Sequence, residues 1–100
     1  MIKLVNTATV VLDSVGAAVV KPGIVTADKG VIIIDNQTGK PIKVYIPGLS
    51  PNAETAIDSG PRAIPVEKLQ SSPGVYACAI YSEAADEFAR GYSSPKIIIK

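Results

Sequence analysis

Three places in this 100-residue chain carry side chains whose type and spacing suggest chemistry. The first is Cys78, in the stretch GVYACAI at residues 74–80. A cysteine acts as a nucleophile through its thiolate, which needs a histidine or another cation close by and some exposure. The chain has no histidine, and strand alternation puts Cys78 on the same inward face as Tyr76 and Ile80. It reads as a buried thiol that packs like a small hydrophobe. The second place is the run of Glu83, Asp86 and Glu87 within residues 82–91 (SEAADEFARG). A hard cation such as Ca²⁺ wants six or more oxygens from a looped backbone. Acids at the positive start of a short helix explain the same three residues. Carboxylate pairs for glycoside chemistry must flank a cleft, and no cleft is marked here. The third is Asn36-Gln37-Thr38, a glycosylation tripeptide, where turn chemistry alone accounts for the asparagine. Phosphate loops, zinc-ligand spacings and the Gly-x-Ser-x-Gly elbow are absent.

Composition narrows the classes further. One hundred residues make one domain, large enough for a single core. Hydrophobic residues are 47% and charged ones 19%, which favours a packed core over disorder. Ten basic residues nearly balance nine acidic ones, and no stretch clusters them, so nucleic-acid binding has no electrostatic support. No apolar run approaches the ~20 residues that span a bilayer. The opening MIKLVNTATVVLDS lacks the order of a signal peptide. The expected compartment is cytoplasmic if Met1 is native, and periplasmic or secreted if a signal has been trimmed. A single cysteine permits no internal disulfide.

The elements that would position these groups are strands. Valine and isoleucine abound, aromatics are few, and eight glycines and eight prolines punctuate the chain. Strands are expected at residues 7–12, 17–20, 24–27, 31–35, 41–46, 63–69, 74–81 and 96–100. The run VIIID at 31–35 suits a strand covered on both faces. In PIKVYI, residues 41–46, Ile42, Val44 and Ile46 share one face while Lys43 and Tyr45 take the other. Residues 53–58 read as a strand or as a helical turn capped by Ser50. Ser82 is a good N-cap, so a short helical turn is expected near residues 83–90, with Arg90 at its negative end and Gly91 as its stop. Seven or eight such strands indicate an all-β Greek-key sandwich.

Two sandwich families share features with these residues. GVYAC at 74–78 resembles the Tyr-x-Cys stretch of immunoglobulin-like sandwiches, although their second cysteine and tryptophan are missing here. The resemblance to the cupredoxins, the blue copper sandwich family, spans most of the chain. VKPGIVTADKG at 20–30 is similar to their early strand with its proline and glycine turn. VIIIDNQTGKPIKV at 31–44 resembles the apolar strand ending in Asn, a turn, and then Pro-His-x-Val. There Asn36 and Pro41 fit, but Ile42 stands where the ligand histidine would be. PGVYACAI at 73–80 resembles the Pro-Gly-x-Tyr-x-aromatic-x-Cys strand, with Cys78 at the aromatic position and Ile80 at that of the copper-binding cysteine.

A blue copper site needs two imidazoles, a thiolate and a weak axial thioether. With no histidine and Met1 as the only methionine, this chain cannot supply them. The resemblance therefore implies a cupredoxin-like domain with no cofactor. Its expected role is non-catalytic, as a protein-binding or structural module with a protein partner or a homo-oligomer. The alternative is a metal-binding or redox protein using the carboxylates of 82–91 or Cys78. The expected interaction surface groups Pro47, Leu49, Pro51, Phe88 and Tyr92, ringed by Glu83, Glu87 and Arg90. That grouping assumes that the loop at 47–52 and the turn at 82–91 lie at one end of the sandwich.

Overall fold

A computed structural model describes residues 5–49, 54–67, 73–89 and 96–99. Alternation of β-branched residues with smaller or polar ones produces eleven short strands among them. These are β1 (Thr7–Leu12), β2 (Ala18–Lys21), β3 (Ile24–Thr26), β4 (Val31–Asn36), β5 (Ile42–Tyr45), β6 (Glu54–Ile57), β7 (Gly60–Pro65), β8 (Gly74–Ala77), β9 (Ala79–Ser82), β10 (Glu87–Phe88) and β11 (Lys96–Ile99). The one helical element among the described residues is a 3-10 turn at Pro47–Leu49. No helix of the described residues is long and apolar enough to cross a membrane.

The strands form three sheets, ordered β2-β1-β4-β7, β10-β9-β5-β6 and β3-β11-β8. Pairing is antiparallel except between β1 and β4 and between β3 and β11. Each sheet turns alternate residues inward. Ala8, Val10, Ile32 and Ile34 from the first, Ile42, Val44 and Ile80 from the second, and Val25, Ile97 and Ile99 from the third meet in one buried cluster. Burying an isoleucine of this kind contributes roughly 1.5–3 kcal/mol, so these inward faces dominate the stability. The fold is all-β, with several sheets around one core, an arrangement consistent with a sandwich.

Two expectations are corrected. The strand expected at 74–81 is two strands, broken at Cys78: β8 pairs with β11, and β9 pairs with β5 in another sheet. The helical turn expected near 83–90 is a β-hairpin. Ser82 Oγ does accept from the Ala85 N–H at 3.3 Å, as a cap would. Asp86, however, takes φ +52°, which right-handed helix cannot accommodate. The chain then reverses, and Glu87 and Phe88 pair back onto Ser82 and Tyr81. Residues 54–57 of the ambiguous 53–58 segment form a strand.

Asn36, at the end of β4, is buried and fully engaged. Its Nδ2 donates to the carbonyls of Lys40 at 2.8 Å, Ile57 at 3.0 Å and Asp58 at 3.3 Å. Its Oδ1 accepts from the Thr38 backbone N–H at 3.1 Å and the Thr38 hydroxyl at 2.7 Å. An amide committed in this way is closed to glycosylation in the folded protein.

The first sheet has an unusual outer side. Val31, Ile33 and Asp35 alternate outward from β4 and are half-buried. Their partial exposure shows that the cover expected on this second face is incomplete. Val66 N–H donates to the Gly30 carbonyl at 2.7 Å, which sets the even residues of β7 to bond toward β4. Pro61 and Pro65 then stand with their ring nitrogens at the free edge, where a missing N–H costs nothing.

Replacing Asn36 with Asp tests this network. A carboxylate facing three carbonyl oxygens is disfavoured, so the folded-state pKa of the introduced acid is raised. Stability is then retained below the ordinary Asp pKa of about 3.9 and lost as pH rises through the folded value. Urea unfolding of Asn36→Asp should show a deficit of about 3 kcal/mol or more at pH 7 and a smaller one at pH 3. An equal deficit at both would show that the carbonyls do not direct the effect.

Candidate interaction surface

Ile42 and Ile80 are fully buried on neighbouring strands. Val44 lies directly opposite Ile80, and Ile42 opposite Ser82, so the two isoleucines are diagonal neighbours on the inner face. Hydrocarbon fills this position. Cys78 is buried too, and burial pushes its thiol up to about 11. A thiol so raised is protonated and unreactive at neutral pH. Among the described residues, no group of three or more His, Cys, Asp or Glu is placed to hold a metal ion.

The residues expected to form one interaction surface separate in space. Strands β5 and β9 are antiparallel, with Ile42 opposite Ser82 and Tyr45 opposite Ala79. The Pro47–Leu49 turn therefore leaves one end of this sheet and the 83–86 turn leaves the other, near Pro41, whose carbonyl accepts from the Glu83 N–H at 3.2 Å. Pro47 and Glu83 are exposed, and Glu87 is half-buried. Leu49 packs against the core and lines a cleft with Glu54, Thr55, Arg62 and Ile64 at the β6–β7 edge. Phe88 is 54% exposed on the outer face of the sheet. Pro51, Arg90 and Tyr92 lie outside the described residues.

What surrounds Phe88 is an aromatic group. Its ring sits edge-on to Tyr81, with centroids 5.4 Å apart, and tilted to Tyr45 at 6.3 Å. Three adjacent strands, β10, β9 and β5, present these rings on one side. Edge-to-face pairs of this kind contribute about 0.5–1.5 kcal/mol beyond area burial and hold each ring in place. The Tyr81 hydroxyl donates to the Asp86 carboxylate, which holds the phenol above its ordinary pKa range. Lys43 and Glu54, 3.9 Å apart and about half exposed, lie on the same outer side. Such a surface pair adds little to stability. It gives the aromatic face a polar border.

Tyr45 and Tyr81 were not among the expected surface residues. The signal was present for both: alternation already sends Tyr45 outward beside Lys43, and the same count from Ile80 sends Tyr81 outward. The juxtaposition with Phe88 needs the β9–β10 hairpin, which the helical reading of 83–90 conceals.

Cys78 yields a direct check. Its thiol has an ordinary pKa near 9.0 and a folded value of about 11. A raised acid leaves stability intact below the unfolded pKa and loses it as pH rises toward the folded one. Wild-type stability should therefore fall between pH 9 and 11 more steeply than that of Cys78→Ala. The variant itself should cost about 1–2 kcal/mol at neutral pH. Native protein should resist thiol reagents until it unfolds; fast labelling would show that Cys78 is accessible.

Comparison of the chain with protein-family models, curated proteins and solved structures returned no match in any of the three.

Proposed function

We propose that this chain is a copper-free, cupredoxin-like Greek-key sandwich that serves as a non-catalytic protein-binding module. Its contact surface is the outer face of the β10-β9-β5-β6 sheet. The observation that carries the reading is Phe88, more than half exposed yet held in a defined orientation by Tyr81 and Tyr45. Aromatic side chains pre-set in this way lose little entropy on docking, and interface anchors are enriched in such residues. The border of Lys43, Glu54, Glu83 and Asp86 supplies the polar rim that contact surfaces use.

The family reading draws support from particular positions. The segment at Lys21–Gly23 separates two strands that pair in different sheets, β2 with β1 and β3 with β11. Asn36 ends its strand and Pro41 immediately precedes the next, in the order in which the resemblance sets them. The non-catalytic part of the proposal is supported by what the chain contains. It has no histidine, its thiol is protonated and buried, and the carboxylate of Asp86 is engaged by Tyr81.

Two measurements test the proposal. Titration with Cu²⁺ should produce no intense visible thiolate-to-copper band; such a band would overturn the copper-free reading. Phe88→Ser should stay folded with one cooperative unfolding transition, lowered by about 1–2 kcal/mol for the two lost ring contacts. Extracts of the source cell passed over immobilised protein should yield a partner retained by wild type. Phe88→Ser should retain it at least about thirtyfold more weakly, the loss typical of a central anchor. A partner held equally by both would remove this face from the role.

A further inference from the structure

A second surface, on another sheet, carries its own pattern. The outer face of the β2-β1-β4-β7 sheet has two charged side chains among its strand residues, Lys21 and Asp35. Both flank Thr9: Lys21 is its register partner on β2, and Asp35 its register partner on β4. All three alternate outward, because Val20, Ala8, Val10, Ile34 and Asn36 point into the core. Around this row the face is mostly apolar, with Val11, Val19, Val31 and Ile33 beside Thr7. A sheet face open to water normally alternates to polar residues. This one does not.

We propose that the chain forms a two-fold symmetric dimer through this face, with Lys21 of each copy set against Asp35 of the other. The geometry follows from the register. A two-fold axis lying in the interface, parallel to β1 and passing over Thr9, exchanges the positions above β2 and β4. It places Lys21 of the second copy over Asp35 of the first, and the reverse pair forms at the same time. Packed sheets lie ~10 Å apart, a gap that a lysine and an aspartate side chain bridge together. Self-complementarity of one patch is what an isologous interface requires. One Asp35 oxygen already accepts from Gln37 Nε2 at 2.8 Å, which orients the carboxylate. Lys21 has no ion-pair partner among the described residues.

The edges of the same sheet steer association toward the face. Pro61 and Pro65 remove N–H donors from the free edge of β7, and Lys21 with Pro22 ends the β2 edge. Edges blunted by proline and lysine resist strand-to-strand pairing with another molecule. The overlap spans three strands, a footprint of roughly 300 Å² per copy from strand spacing and rise. An area of that order belongs to weak, reversible contacts.

Sedimentation of the full chain from roughly 10 µM to 1 mM, the range suited to so small an interface, tests the proposal. Wild type should pass from monomer to dimer across it. Lys21→Asp and Asp35→Lys, separately, each place like charges at both symmetry-related contacts and should weaken association at least tenfold. The double variant, Lys21→Asp with Asp35→Lys, restores opposite charges and should recover wild-type association. Phe88→Ser should leave it unchanged, which separates this face from the aromatic one. Independently of any variant, raising salt toward about 1 M should weaken the wild-type dimer by screening. A chain monomeric throughout, single reversals without effect, or a double variant that fails to recover would each overturn the proposal.

Discussion

The amide of Asn36 stands where the chain passes between two sheets and joins the turns on both sides. It closes the turn that follows β4 through Thr38 and Lys40, and it reaches across to the carbonyls that follow β6. A buried carbonyl without a donor costs about 1–3 kcal/mol, so several such costs are met by one side chain. The β4–β5 turn decides where β5 enters the second sheet. The β6–β7 connection decides how the chain returns to the first. Both crossings between sheets are thus fixed at one residue, and the strand register on which each surface depends follows from them.

The division of labour between inside and outside is sharp. Inside, Ile42 and Ile80 are fully buried, and the thiol of Cys78 is held protonated by its surroundings. Their contribution is packing. Outside, two faces with different chemistry remain: one carries clustered aromatic rings with a charged border, the other aliphatic side chains with one cation and one anion. The first suits a partner with a complementary pocket, and the second suits its own copy. The proposed role draws on shape and charge at these surfaces.

Much of the frame was legible in the residues. Alternation located β1, β4 and β5 to within a residue or two, and it placed Ile42, Val44 and Ile46 inward and Tyr45 outward. The buried Cys78 was legible for the same reason. Two features were not. Tyr76, Cys78 and Ile80 keep an unbroken alternation across the point where the backbone changes hydrogen-bond partners, so side-chain periodicity carries no trace of the break. Ser82 bonds to the backbone three residues on in both a helix and a turn, so its presence does not separate the two. The deciding event is the left-handed conformation of Asp86, which a hydroxyl cap cannot signal. The aromatic group was lost with it, because only a hairpin brings Phe88 back beside Tyr81. The separation of Leu49 from Phe88 depends on strand direction in the sheet, which local pattern does not encode.

The single-residue junction at Cys78 has a consequence for motion. The segment from 74 to 82 is hydrogen-bonded to β11 on one part of its length and to β5 on the other. Neither of those sheets can shed this segment without pulling on the backbone that anchors the other. Amide protons in β5, β9 and β11 should therefore exchange with solvent as one cooperative unit, although they belong to separate ladders. A hairpin outside that unit, such as β9–β10 beyond Ser82, is free to open alone. The hairpin that carries Phe88 lies beyond that unit, so the packing of its ring on Tyr81 and Tyr45, rather than the shared ladders, is what keeps that surface set.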